Sequence, residues 1–201
     1  MSSRVLRACV LAAADAIEAS RDELCRLDAA AGDGDHGVTM ALAARAVRQA
    51  LADAPDATEH ELLIKIAVAM GSVGGASGPI YASGLLAIAT TLDGLPAGPM
   101  TVARMLTLGE AAENAISAIG HARPGDKTIL DALHPAVEAL RQGQDLSATA
   151  KAARAGAEAS AEMAATIGRA SRLGERSRGL PDPGATSLAV ILDAIASTYS
   201  A

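Results

Sequence analysis

The chain has 201 residues, 50% of them hydrophobic and 20% charged, with a mean hydropathy of +0.26 and a net charge of −6. That balance excludes a disordered chain, and the scattered Lys and Arg, without interleaved aromatics, argue against nucleic acid as a partner. Lys65, Pro79 and several glycines interrupt even the Ile64 to Leu92 stretch, so no membrane span is expected.

Alanine occurs 49 times, while Phe and Trp are absent and Tyr81 and Tyr199 are the only aromatics. Strand formers are therefore scarce, and a mostly helical protein follows. Cys9 and Cys25 fall on one predicted helix, too far apart to bridge, which reads as a reduced, cytoplasmic protein. Arg4 and Arg7 ahead of an apolar run superficially imitate a secretion signal, but Asp15 and Glu18 interrupt that run.

Leu6, Val10, Ala13, Ile17, Leu24 and Leu27 recur in steps of three and four, with one double step of seven between Ile17 and Leu24, predicting a first helix to about Leu27. Breakers between Asp28 and His36 end it, and a second helix runs from Gly37 to Ala52. Thr58 with Glu61 forms a capping box for a third helix reaching about Met70. Gly71 to Gly78 is a glycine-rich loop, and Pro79 suits the first turn of a fourth helix ending near Gly94. Thr101 to Ile119 is the fifth helix, Thr128 to Leu140 the sixth, with Pro135 inside it, and Leu146 to Ile167 the seventh. Gly168 to Gly184 is a long polar loop, and Ala185 to Thr198 is the eighth helix. No linker or repeat divides residues 1–201, so one all-α domain is expected.

The chemistry-bearing residues lie in the loops. Asp28, Asp33 and Asp35 place three carboxylates within eight residues, and such groups repel one another unless a cation sits among them. Hard oxygen ligands favour Mg²⁺ or Ca²⁺. The spacing does not fit an EF-hand, because the twelfth loop position is Ala44 or Thr39 according to where counting starts. Mg²⁺ shared with a phosphate ligand fits better, although a solvated acidic loop capping the second helix is also compatible. The glycine-rich loop suits phosphate through its free N–H groups, and equally suits close helix packing. Pro124-Gly125-Asp126-Lys127-Thr128 departs from a Walker loop, since Asp126 separates Gly from Lys, and reads as a turn with an N-cap. Arg169, Arg172, Arg176 and Arg178 cluster within ten residues of an acidic chain, suited either to phosphate or to ion pairs with Glu175 and Asp182. His60, His121 and His134 receive no role.

Taken together, Leu27-Asp28, Gly32-Asp33-Gly34-Asp35-His36-Gly37, Ser72-Val73-Gly74-Gly75-Ala76-Ser77-Gly78-Pro79, Arg123-Pro124-Gly125-Asp126-Lys127-Thr128 with Asp131-Ala132-Leu133, Gly168-Arg169-Ala170-Ser171 with Leu173-Gly174-Glu175-Arg176-Ser177, and Asp182-Pro183-Gly184-Ala185-Thr186-Ser187 resemble the nucleotide-binding L subunit of dihydroxyacetone kinase. The resemblance spans the whole chain. It implies an eight-helix antiparallel barrel with the nucleotide site in loops at one end. It assigns Asp28, Asp33 and Asp35 to two Mg²⁺ ions that bridge to the phosphates of ADP or ATP. It places His36, Gly37, Val38 and Thr39 against those phosphates. It gives further nucleotide contacts to Gly71, Ser72, Gly74, Gly75, Ser77, Gly120, Ile129, Arg169, Asp182, Pro183 and Gly184. Thr39, where the family often has Asn, and Gly71, where a small hydroxyl residue often stands, depart from the pattern.

The resemblance further implies a kinase subunit in which Arg169 is catalytic. A separate K subunit would hold dihydroxyacetone, and the phosphoryl group would come from ATP, or from bound ADP recharged by a phosphotransferase-system subunit. Two other readings accompany it: a nucleotide-dependent regulatory module, and the same subunit of a kinase for another short keto-sugar.

Overall fold

The computed structural model describes residues 2–199, and among them there is no strand. Nine α-helices follow in order: α1 (Ser3–Ala19), α2 (Arg21–Ala29), α3 (His36–Ala52), α4 (Glu59–Gly71), α5 (Ser77–Gly94), α6 (Val102–Gly120), α7 (Leu130–Arg141), α8 (Leu146–Ala159) and α9 (Pro183–Tyr199). The expected first helix is two. The chain turns at Ser20, whose N–H still closes α1 on the Ala16 carbonyl at 3.0 Å while its own carbonyl accepts from Leu24 N–H at 3.0 Å. Cys9 and Cys25 consequently sit on different helices.

Local rules locate most of the remaining ends. Thr58 and Glu61 make the reciprocal capping box, and Thr101 and Asp145 accept from backbone N–H groups three residues on. The seventh predicted helix stops earlier than its alanine content suggests, at Ala159 instead of Ile167. The cause is tertiary: Ser160 is fully buried, and its hydroxyl accepts from Asp182 N–H at 2.8 Å. A single 3₁₀ turn over Ser160–Glu162 then diverts the chain. The long loop is not structureless either, because Arg169–Ser177 winds into 3₁₀ turns broken at Gly174.

Helix neighbours form a closed circuit. α1 packs on α3, each helix from α3 to α8 packs on the next, and α9 packs on both α8 and α1, while α2 leans on α3. The loops ending α2, α4, α6 and α8 meet in one cleft. Successive helices of the circuit must therefore run in opposite directions, which is the antiparallel barrel. The interior is filled by Leu24, Met40, Leu62, Leu130 and Val137, all fully buried. No described helix is long and apolar enough to cross a membrane.

Glycine permits two close crossings. A Cβ at Gly37 would overlap the Arg21 carbonyl oxygen, so α2 and α3 touch backbone to backbone at the start of α3. A Cβ at Gly156 would overlap the Asp131 carbonyl and lie 2.8 Å from Pro135 Cγ. Pro135 has no N–H to offer the carbonyl four residues earlier, and α8 fills the space beside that freed oxygen. Gly156→Ala is expected to lower stability by about 2–3 kcal/mol, the upper part of the range for overpacking in a close-packed interior. A thermal melt with an unchanged midpoint would show that α7 and α8 yield without loss.

Candidate functional site

Asp28 lies in the last turn of α2 and its side chain caps the start of α3. Its Oδ2 accepts from Asp35 N–H at 2.9 Å and from His36 N–H at 3.2 Å, satisfying donors that the first turn of α3 leaves free. Gly34, at φ 77°, turns the intervening loop through a conformation that favours glycine. Folded this way, one carboxylate oxygen from each of Asp28, Asp33 and Asp35 lies within 4.8 Å of the others. Asp33 and Asp35 are about half exposed, at 53% and 54%, so water and ions reach them. Across the cleft, the Arg169 guanidinium pairs with Asp33 and lies 3.7 Å from Asp35. Three carboxylates against one guanidinium leave a net negative, all-oxygen donor set, which fits a small hard cation.

The floor is built by helices. His36 is 7% exposed and joins three elements: its Nε2 lies 3.0 Å from Ser187 Oγ on α9, and its Nδ1 lies 3.2 Å from Ser77 Oγ on α5. Ser187 Oγ lies 3.0 Å from the Gly184 carbonyl, 2.9 Å from the Tyr81 hydroxyl and 3.0 Å from His36 Nε2, so one hydroxyl ties α5 and the start of α3 to α9. The imidazole thus meets a serine hydroxyl at each ring nitrogen. Burial pushes its pKa below the ordinary value, in keeping with a neutral ring.

Asp182 caps α9, accepting from Ala185 N–H at 2.7 Å. Burial is the main influence on its carboxyl and the charge of Asp131 acts in the same direction, pushing its pKa up to about 7. The folded chain therefore keeps this proton to higher pH than the unfolded chain, and stability should fall as pH rises from about 4 through about 7. Asp182→Asn retains the acceptor for α9 and should flatten that fall in melts taken across the same range. An unaltered pH profile would remove Asp182 as the source.

The resulting cleft encloses about 250 Å³. Of the residues expected at a site, it is lined by Asp28, Asp35, His36, Thr39, Gly75, Ser77, Gly120, Ile129, Arg169, Asp182, Pro183 and Gly184. Asp33 reaches it through Arg169. Gly37 lies beneath it at the α2–α3 crossing, and Gly71 faces Ala82 across the α4–α5 contact. Val38 is 38% exposed on the outside of α3. Ser72 turns its hydroxyl back to the Ala69 carbonyl at 2.7 Å, and a Cβ at Gly74 would meet open space.

Sequence reasoning gave no role to Tyr81 and Lys127, which also line the cleft, or to Ser187 beneath it, whereas Arg176 and Arg178, also in the lining, belong to the arginine cluster already singled out. Tyr81 and Ser187 sit inside helices with no local signal. Lys127 did carry one, because it lies in the Gly-Asp-Lys-Thr turn that reads locally as a cap and also belongs to the motifs behind the resemblance, although no role falls to the lysine there.

Fold and site together define an α-helical barrel with a carboxylate-and-arginine cleft in the loops at one end. The chain belongs to the DAK2 domain family, whose model matches residues 30–197. It is 34% identical over 183 residues to the PEP-dependent dihydroxyacetone kinase 1 ADP-binding subunit DhaL of Listeria innocua, covering 90% of this chain and 89% of that one. It is 37% identical to L-erythrulose 1-kinase of Mycolicibacterium smegmatis, covering 86% of this chain and 32% of that protein. The chain thus spans about a third of the erythrulose kinases it matches and most of the DhaL subunit. Dihydroxyacetone kinase of C. freundii superposes with a TM-score of 0.77 at 30% identity, covering 98% of this chain and 35% of that one. A second structure of that enzyme, in complex with AMP-PNP and Mg²⁺, gives a TM-score of 0.73 at 29% identity, covering 94% of this chain and 33% of that one.

Proposed function

We propose that this chain is the nucleotide-binding subunit of a dihydroxyacetone kinase, receiving ADP or ATP with two Mg²⁺ ions in the cleft and passing a phosphoryl group to a ketone held by a separate K subunit. The observation that carries this reading is the facing of Asp28, Asp33 and Asp35 by Arg169 across one cleft. The DhaL relatives, matched over most of their length, support it, as does the likeness to a kinase solved with AMP-PNP and Mg²⁺.

Phosphoryl transfer asks the protein mainly for positioning and for positive charge where negative charge develops. Mg²⁺ held by the three aspartates would supply much of that charge. From this chain, Gly75 and Ser77 at the start of α5 offer backbone N–H groups to phosphate oxygens. The Asp182-Pro183-Gly184 turn and Ile129, which line the same cleft, would receive the nucleoside. Arg169 stands beside the carboxylates, where a guanidinium neutralises a moving phosphoryl group. No nucleophile on this chain is required, because the attacking hydroxyl belongs to the ketone on the partner. The phosphoryl source is either exchangeable ATP or a phosphotransferase-system subunit acting on bound ADP, and the site is placed outside any membrane, in the cytoplasm.

Excess Mg²⁺ and ADP should raise the melting midpoint by about 5–10 °C, the effect of saturating a site about a hundredfold above its Kd in a chain of this size. The chain alone should phosphorylate no ketone, and activity should appear on adding a K subunit and a phosphoryl source. An unmoved midpoint with no nucleotide released on denaturation would overturn the nucleotide site, and robust kinase activity from the isolated chain would overturn the two-subunit reading. The erythrulose kinases among the relatives favour a second reading for the substrate, a four-carbon ketose. Comparing dihydroxyacetone with erythrulose in the reconstituted pair decides it.

A further inference from the structure

Lys127 adopts a left-handed backbone, with φ 61°, and is 5% exposed. Both features are unfavourable for lysine, one through strain and the other through desolvation, and they persist only where the surroundings impose them. What surrounds the side chain is backbone. Its Nζ donates to the Ser177 carbonyl at 2.7 Å, the Leu180 carbonyl at 2.8 Å and the Met163 carbonyl at 3.2 Å, one acceptor for each ammonium proton.

Those carbonyls stand at the two ends of one loop. Between Met163 and Leu180 lie Arg169, Arg172, Arg176 and Arg178, carried on irregular 3₁₀ turns. The neck is closed further by Gly179 N–H to the Ala161 carbonyl at 2.9 Å and by Ala165 N–H to Ser177 Oγ at 2.8 Å. The neighbour of Lys127 grips the same place, since Asp126 Oδ1 accepts from Thr166 Oγ1 at 2.6 Å. Farther out, Arg169 reaches Asp33 and Asp35 on the far side of the cleft. Where the neck sits thus fixes where that guanidinium sits.

We infer that Lys127 is a positioning residue: its ammonium latches the neck of the 163–180 loop and so sets Arg169 over the three carboxylates. Its consequence for transfer rests on the function proposed above, whereas the latch itself is independent of it. A compact, three-proton donor suits three carbonyls converging on one point, which a planar guanidinium does not reproduce.

The test uses the whole chain carrying Lys127→Met, with Lys127→Gln as a second variant that keeps two of the donors. Trypsin should cleave after Arg169 to Arg178 about tenfold faster in Lys127→Met, with an intermediate rate in Lys127→Gln, as a loop with a larger open population does. Amide exchange should lose protection across 164–179 while the helices keep theirs. In the pair reconstituted with a K subunit, kcat should fall about tenfold or more with nucleotide KM moved much less, since misplacing a charge by an ångström affects transfer more than binding. Unchanged cleavage and exchange in the loop would overturn the latch, as would protection lost equally across all helices. If Lys127→Met does not fold, Lys127→Gln with wild-type loop protection overturns it alone. Failure of Mg²⁺ and ADP to stabilise the wild type would instead strike the nucleotide reading and leave the loop measurements standing.

Discussion

Asp33→Ala and Asp35→Ala should each reduce phosphoryl transfer by about 10³-fold or more in the reconstituted pair, the loss expected when a metal ligand worth several kcal/mol of charge stabilisation is removed. Neither change should harm the barrel. Both carboxylates are half exposed in a loop, and what each loses is an ion pair with Arg169 in contact with water, a contribution of about 1 kcal/mol at most. Removing one of three mutually repelling charges offsets even that. The melting midpoint without ligand should stay near wild type, while the rise produced by Mg²⁺ and ADP disappears. Asp28 should behave differently, because its Oδ2 also accepts the two N–H groups that begin α3. Asp28→Ala should therefore lower the unliganded midpoint as well, and Asp28→Asn should recover much of that stability without recovering transfer. Wild-type turnover in Asp33→Ala or Asp35→Ala would take the carboxylates out of the mechanism.

Arg169→Ala is expected to slow transfer by about 10²-fold or more with a smaller change in nucleotide affinity, as for an arginine that acts on charge developing in the transition state. Lysine at this position should recover only part of the rate, since it brings charge without the planar fork that reaches two oxygens at once. The guanidinium contacts Asp33 and Asp35, so its removal also leaves the acidic cluster less compensated. Arg169→Ala should consequently depend more steeply on Mg²⁺ concentration for its thermal stability than the wild type does. A variant with unimpaired kcat would reduce Arg169 to an ordinary loop cation.

How these residues come together was only partly legible in the chain. Helix content, and most helix ends, followed from local chemistry: alanine abundance, the capping box at Thr58 and Glu61, and the breakers around Gly32, Gly34 and Pro55 act within a few residues of themselves. The three aspartates were equally visible, because eight residues of chain hold them near one another whatever the rest of the fold does. The motif resemblance added the barrel, which periodicity alone does not specify, since a helical stripe shows which side is buried and not against what.

Other features depend on contacts between distant segments. The break at Ser20 falls where the apolar pattern skips from Ile17 to Leu24, but the stripe resumes in helical register in α2, so the pattern alone does not separate two helices. The early end of α8 is set by Ser160 receiving Asp182 N–H, a partner 22 residues away that no local rule anticipates. Gly37 and Gly71 illustrate the same division: each stands in a motif next to the cleft, yet a Cβ at either would meet a neighbouring helix, the Arg21 carbonyl for one and Ala82 for the other.

The sequence by itself thus determined that this protein is helical, that acidic and arginine-rich loops carry its chemistry, and which family pattern those loops follow, because each of these rests on residues close in the chain. Only the tertiary structure decided that Arg169 faces Asp33 across 136 residues, that Tyr81, His36 and Ser187 form one buried hydrogen-bonded floor, and that Lys127 ties both ends of the arginine loop. Those arrangements join groups from separate helices and loops whose separation is set by packing of the whole barrel, and a hydrogen bond or ion pair forms only when that packing brings its partners within about 3 Å.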